Sequence, residues 1–271
     1  MNFITLEIAF RYFRSKRRGF LSFLSVISFA GIAIGVAVLI LVTSVMNGFE
    51  RELQNKILQA IPHASIKGKP ILDDWEKLNS VLRENKNIIG SAPYLETQAI
   101  LNSKSNLKAV FIYGVNPKLE QSVSIISNNI IIGSWEDLQK EAFNISIGEL
   151  LARKLDISLG DYLNVLVSDT SMGFMGSIPR TKKFRVSSIF SLGSPEFDMN
   201  FIYMNIDNAA KLLRTGKSVH GIRIKYTDLF IAKSEIKQDL LRVNSALNKE
   251  YNSDDWTNAY GTLFRAIKME K

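Results

Sequence analysis

From Phe20 to Met46 the chain carries no charged residue; the nearest charges are Arg18 before the stretch and Glu50 after it. As a helix rising about 1.5 Å per residue, this stretch spans roughly 40 Å, more than the roughly 30 Å hydrocarbon core of a bilayer. Sixteen of its residues are Leu, Ile, Val or Phe. On insertion scales they favour the membrane by roughly 5 to 10 kcal/mol before polar residues are counted. The hydroxyls of Ser22, Ser25, Ser28, Thr43 and Ser44 subtract little, because each can bond back to a carbonyl one turn earlier. A buried core helix seldom runs this long without a charge. A cleaved signal peptide has an apolar region about half as long and closes on a small-x-small site, which is lacking here. The pattern predicts an uncleaved membrane helix over residues 20–46. Within it, Gly31 and Gly35 lie four apart beside Ala33 and Ala37, a small-residue face on which a second helix can pack; the alternative is that both glycines simply face lipid.

Beyond the span the helical pattern continues as a stalk over residues 47–61, with Phe49, Leu53, Ile57, Ala60 and Ile61 on one face, until Pro62 stops it. Ala64 to Lys67 reads as a strand and Gly68 to Pro70 as a turn. Asp73 and Asp74 offer an N-cap to a helix on Trp75, Leu78 and Leu82 that ends near Asn87. Ile88 to Leu101 and Leu107 to Val115 form a hairpin, which Asn116 and Pro117 break. The apolar pieces Val123 to Ile126 and Ile130 to Ile132 have no clear place. A helix over Gly148 to Leu155 and a turn at Leu159, Gly160 and Asp161 lead to a strand at Tyr162 to Val167. Ser168 to Arg180 is apolar and nearly uncharged. It reads as the tip of a long hairpin arm, about residues 161–190, that returns through Phe184 to Phe190. Asn200 to Met204 is a strand, and Asp207 caps a helix to Leu213. Gly221 to Tyr226 alternates Ile222, Ile224 and Tyr226 with Arg223 and Lys225, as a half-buried strand does. Ile236, Leu240, Val243 and Leu247 mark the last helix. Strands and helices interleave irregularly, so the fold class is α+β.

Charge sets the orientation. The first eighteen residues carry five basic residues and one acid, +4 of the total +8, while Glu50 and Glu52 follow the span. Residues 1–19, which mix Phe3, Ile4, Ile8, Phe10 and Phe13 with Arg11 and Arg14, read as a basic amphipathic segment on the cytoplasmic surface of the membrane, against anionic lipid. Residues 47–271 are then exported. The other +4 is spread over 253 residues, too dilute for a nucleic-acid footprint. With no cysteine, thiol catalysis and thiolate metal sites are excluded. His63 and His220 have no second ligand at metal spacing. Thr215-Gly216-Lys217-Ser218 resembles the end of a phosphate loop, but Lys211 stands where its first glycine belongs. Asp254 and Asp255 read as a cap or turn. No reaction follows from these residues, so the chain is not read as an enzyme, and no cofactor or metal is expected.

The run Ile34-Gly35-Val36-Ala37-Val38-Leu39-Ile40, followed by Ser44-Val45-Met46-Asn47-Gly48-Phe49-Glu50-Arg51-Glu52-Leu53-Gln54, closely resembles the first membrane helix and its exit in lipoprotein-releasing ABC permeases of the LolC/LolE type. Ile61-Pro62-His63, Gly114-Val115-Asn116-Pro117 and Leu263-Phe264-Arg265-Ala266-Ile267-Lys268-Met269-Glu270-Lys271 support the resemblance, which covers the whole chain. It implies a single membrane helix followed by a mixed α+β periplasmic domain of the MacB/LolC type. It also implies that the chain is an N-terminal portion ending before a second membrane helix, without the segment that couples to the ATPase.

By the same resemblance, the partners are a separate ABC ATPase subunit, a second permease subunit in a homo- or heterodimer, a lipoprotein substrate and a periplasmic lipoprotein carrier. Met46, Asn47 and Phe49 are candidates for the rim of the lipoprotein cavity, where Met and Phe make a deformable apolar edge. Alternatively they only pack the helix exit. Met172, Phe174, Met175, Ile178, Pro179 and Arg180 occupy the place of the hairpin that captures the carrier in LolC-type subunits, with Lys182 and Lys183 beside them. The alternatives are a loop folded onto its own domain or a disordered one. Phe174 departs from the proline expected there, and Gly114 to Pro117 is more like LolE. A MacB- or FtsX-type permease that relays motion without moving lipid, or a plain anchored binding protein, stands as the other reading.

Overall fold

The computed structural model of the protein describes residues 7, 11, 19–103, 106–140, 143–167, 179–258 and 261; for residues 19–22, 25 and 49–60 it describes the backbone alone. Two compact units are formed, residues 1–52 and 53–271.

Helix α1, Gly19–Ala60, runs on without a break from the apolar stretch into the stalk; its residues up to Glu52 belong to the first unit. Within it, Val26–Gly48 is long and apolar enough to cross a membrane, and none of it is buried. Thr43 shows the expected self-satisfaction: its hydroxyl donates to the carbonyls of Leu39 at 2.9 Å and Ile40 at 3.0 Å. A lone hydroxyl in hydrocarbon is therefore not left unpaired.

The second unit is a ten-stranded mixed sheet. In chain order its strands are β1 (Ala64–Leu72), β2 (Ile88–Ser103), β3 (Asn106–Val115), β4 (Ile130–Gly133), β5 (Asn144–Gly148), β6 (Tyr162–Val167), β7 (Arg180–Phe190), β8 (Phe201–Asn205), β9 (Val219–Tyr226) and β10 (Asn252–Asp255). The helices are α2 (Trp75–Leu82), α3 (Pro117–Glu120), α4 (Glu149–Leu155), α5 (Pro195–Asn200), α6 (Ile206–Leu213) and α7 (Ala232–Leu247). Strand β2 pairs with β3, β3 with β8, β8 with β5, β5 with β7, β7 with β6, and β6 returns to β2. Six strands thus close a ring. Closure removes the free edges that would otherwise invite pairing with other chains. From β2 the sheet continues outward through β9, β1 and β10.

Period-2 alternation explains the ring's filling. Leu95, Ala99 and Leu101 of β2 share a buried cluster with Val110 and Ile112 of β3, Leu163 and Val165 of β6, and Phe184 and Val186 of β7, joined by Leu151 of α4 and Leu212 of α6. Their sequence neighbours Glu96, Gln98, Ile100, Asn164 and Lys183 are exposed. A second cluster gathers Ile66, Ile222 and Ile224 under Leu78 and Leu82 of α2 and Ile236 and Val243 of α7.

Several elements differ from the sequence expectation, each for a local reason. Strand β1 passes through Gly68 to Pro70 with an irregularity in register between Lys67 and Leu72, so the expected turn is a bulge inside a strand. The Asp74 side chain does not cap α2; it pairs with Lys77 at 3.2 Å, and the helix ends at Leu82. Helix α6 is capped by Asn205, which accepts from the N–H of Asp207 at 2.8 Å, rather than by Asp207 itself. Strands β5 and β10 and helix α5 were not foreseen. Asn252–Asp255 contains no apolar residue, and Asn144–Gly148, five residues with only Ile145 and Ile147 apolar, is buried throughout by pairing with β7 and β8.

Candidate functional site

At the exit of the membrane-length segment, Met46 is half-exposed and Asn47 exposed, while of Phe49 only the helical backbone is described. At Gly31 and Gly35 an added Cβ would meet nothing within 4 Å.

The predicted hairpin arm is present as β6 and β7, antiparallel with Val167 opposite Arg180. Met172, Phe174, Met175 and Ile178, the apolar tip, lie outside the described residues. At the base, Pro179 is exposed and Arg180 half-buried, with its Nη1 donating to the carbonyl of Leu212 at 3.4 Å. The Lys182 ammonium sits 4.1 Å from the centre of the Phe143 ring, and that of Lys183 4.8 Å from Tyr162. Each such contact contributes roughly 0.5–1 kcal/mol at an exposed site. It also holds the two charges at fixed positions beside the arm. The rim residues belong to the first unit and the hairpin to the second.

Sequence reasoning missed one concavity of the second unit. Across the outer face of β10, β1, β9, β2, β3 and β8 lies a cavity of about 210 Å³. Register builds it: Ser65 faces Arg223 across β1 and β9, Glu96 faces Tyr113 across β2 and β3, and Tyr113 faces Tyr203 across β3 and β8. Phe197, Phe201 and Trp256 complete an aromatic wall, and Tyr113 and Phe201 stack with ring centres 5.7 Å apart. Arg223, expected on the solvent face of a half-buried strand, is 5% exposed. Its burial is tolerated because Nη1 donates at 2.8 Å to Oε1 of Glu120, which is 1% exposed, and because the guanidinium lies against the rings of Tyr113 and Tyr94 at 4.1 and 4.9 Å. Burial pushes the Glu120 carboxyl up, against the pull of Arg223. Although desolvation lowers the Arg223 pKa, Glu120 and the flanking tyrosines hold it above the ordinary arginine range. The partners stand 103 residues apart in sequence, so no spacing announces them. The one legible signal was an arginine in the middle of an otherwise apolar strand.

Lys67 is paired with Asp254 at 3.4 Å. Asp254 and Asp255 belong to a strand, and the Asp255 carboxylate also accepts the N–H of Thr257 at 2.8 Å. His63 accepts the N–H of Tyr226 at Nδ1, and burial beside Lys225 lowers its pKa to about 4. It is a structural acceptor. His220 accepts the N–H of Glu96 at 2.9 Å. Ser218 closes the turn that follows α6 with its N–H on the carbonyl of Thr215 at 3.1 Å, and its hydroxyl donates to Asp73 at 2.7 Å. Among the described residues no group of three His, Asp or Glu is gathered that could hold a metal.

A membrane-length helix joined to a mixed-sheet domain whose polar cavity is lined by aromatic rings and paired charges defines a membrane-anchored α+β domain. The chain belongs to the family of the MacB-like periplasmic core domain, which matches residues 25–238. It is similar over its whole length to the lipoprotein-releasing system transmembrane protein LolC of Xylella fastidiosa (strain 9a5c), at 35% identity, of which it covers 64%. It is 34% identical to LolC of Neisseria meningitidis serogroup B, over 97% of this chain and 63% of that one. With LolE of Haemophilus influenzae the identity is 30%, over 97% of this chain and 63% of that one. The resemblance to the LolC/LolE type is thereby borne out, and the chain spans a little under two thirds of these relatives. Among solved structures, the periplasmic region of MacB from Actinobacillus actinomycetemcomitans overlays with a TM-score of 0.49 at 13% identity, covering 79% of this chain and 97% of that one.

Proposed function

We propose that the chain is the anchor and periplasmic domain of a permease subunit that releases lipoproteins from the bacterial inner membrane. The observation that carries this reading is 35% identity to LolC over all of the chain. The basic flank, Arg11 to Arg18, before an uncharged helix supports a cytoplasmic N-terminus. Residues 20–46 then cross the membrane, and residues 47–271, with the stalk at 47–61, lie in the periplasm. A separate ABC ATPase subunit supplies the energy, and a second permease subunit, the same or different, completes the pair, with Gly31 and Gly35 on the helix face that packs. Met46, Asn47 and Phe49 form the rim of the cavity that accepts the lipoprotein acyl chains. The tip Met172 to Pro179 docks a periplasmic carrier, and Arg180, Lys182 and Lys183 speed its encounter with an acidic partner.

Depletion of the gene in its own bacterium tests the reading: lipoproteins should accumulate in the inner membrane fraction. If they reach the outer membrane normally, the MacB- or FtsX-type reading, in which the domain relays motion and moves no lipid, replaces it. The docking role has its own test, Phe174→Ala with Ile178→Ala in the complete permease. Carrier binding should be abolished while the thermal midpoint stays near wild type. A large fall in midpoint would assign these side chains to the core instead, and intact binding removes the role.

A further inference from the structure

The aromatic cavity on the outer sheet face has a polarity that the lipoprotein-release reading does not use. Its floor is Arg223, 5% exposed, with a single Nη1 contact to Glu120. The other guanidinium N–H groups have no acceptor among the described residues and open on the cavity that Arg223 lines. These nitrogens are not sealed from solvent, so water can serve them and a ligand carbonyl can take its place. The cavity, about 210 Å³, has room for several waters or for a group of comparable size. Because Glu120 already balances the arginine, these donors offer directionality without a net positive charge. Lys67, which also lines the cavity, is paired with Asp254, and the carboxylates of Glu96 and Asp255 leave the lining net negative, which repels an anion. A neutral acceptor therefore fits best.

A complementary acceptor stands nearby. Glu96 lies directly opposite Tyr113 in the β2–β3 register, and Arg223 rests on the same ring at 4.1 Å. The Glu96 main chain is fixed by its N–H bond to His220, while its carboxylate accepts no hydrogen bond from the described residues. Donor and acceptor thus flank one aromatic side chain. A peptide unit carries a carbonyl and an N–H within a few ångströms of each other; a lipid ester has the carbonyl alone and would leave Glu96 unserved.

We infer that this pocket binds a peptide unit of an extended polypeptide segment, its carbonyl on Arg223, its N–H on Glu96, and an apolar side chain against the Phe201 wall. The inference does not rest on the lipoprotein-release reading: any permease carrying this face would have the site.

Trp256 lines the cavity and reports on it. The full chain in detergent is titrated with a capped tripeptide, acetyl-Ala-Leu-Ala-methylamide, while tryptophan fluorescence is followed, with Trp256→Phe as the blank. The probes for comparison are the depsipeptide in which an ester oxygen replaces the central N–H, and dioctanoylglycerol. The tripeptide should change the Trp256 signal saturably, the depsipeptide should bind about tenfold more weakly, and Glu96→Ala should erase that difference. Glu96 is exposed, so its removal leaves the fold intact, and an unchanged thermal midpoint checks this. Equal binding of tripeptide and depsipeptide, tighter binding of dioctanoylglycerol, or a preference untouched by Glu96→Ala would each overturn the inference.

Discussion

The Glu120–Arg223 pair invites a quantitative test because both members are almost fully buried and each is the other's only charged hydrogen-bond partner among the described residues. Truncating one leaves the other charge in a medium that cannot solvate it, at a cost of about 3–5 kcal/mol. For a unit of this size each kcal/mol moves the midpoint by about 2–4 °C, so Glu120→Leu or Arg223→Met alone should lower it by about 6 to 20 °C. The double variant removes both desolvation penalties. It loses the two ring contacts of the guanidinium, worth about 0.5–2 kcal/mol together, but Met remains a good partner for Tyr94 and Tyr113. It should therefore lie within about 2 kcal/mol of wild type, giving a coupling energy of several kcal/mol. Fluorescence of Trp135 and Trp256, 2% and 6% exposed, follows unfolding of the full chain in detergent. If the two single effects simply add in the double variant, or if Glu120→Leu costs less than about 1 kcal/mol, the pair does not hold the cavity floor as argued.

Two further outcomes rest on single positions. His63 has a folded pKa of about 4 against 6.5 when unfolded, so between these values the native state binds fewer protons and stability rises with pH; it is full above about 6.5 and falls by roughly 3 kcal/mol as the pH drops to about 4, a slope that His63→Gln should remove from denaturant midpoints. At Gly114 an added Cβ would lie 2.3 Å from Cβ of Ala209, so Gly114→Val should cost about 1–3 kcal/mol by pushing α6 off β3, and an unchanged midpoint would show that α6 yields freely.

What the sequence revealed divides along a physical line. Local signals carried the membrane-length helix, the β2–β3 hairpin, the β6–β7 arm and the core face of α7, because each is written in a period of 3.6 or 2 over consecutive residues. The motif Gly114-Val115-Asn116-Pro117 also has a local explanation: Asn116 accepts from the N–H groups of Lys118 and Leu119 and opens α3, with Pro117 at its first position. Ring closure was not legible, since β6 joins β2 across more than sixty residues. Nor was the cavity, whose floor depends on Glu120 in a one-turn helix meeting Arg223. Alternation on β9 assigned Arg223 to solvent because periodicity sees which face a residue occupies, not whether another element covers that face. The same limit hid β10, recruited to the sheet by pairing with β1 rather than by apolar residues of its own.

Strand β2 connects the two proposals mechanically. Its first half, Ile88 to Tyr94, pairs with β9, which carries Arg223, and its second half, Ala99 to Asn102, pairs with β6, the first strand of the hairpin arm. One continuous backbone thus belongs both to the open sheet that bears the cavity and to the closed ring that bears the arm. Ladder hydrogen bonds fix register on both sides, and a one-residue slip would turn Leu95, Ala99 and Leu101 out of the core. A load on the arm therefore reaches the cavity as a rigid displacement of β2 and not as a change in its pairing. On the proposed reading, a carrier seated on the tip and a peptide held between Arg223 and Glu96 would be bound to the same strand. Occupancy of one site would then shift the other only if the ring moved as a body. This argues for measuring tripeptide affinity with and without carrier: an unchanged affinity is what a stiff ring and two independent sites require.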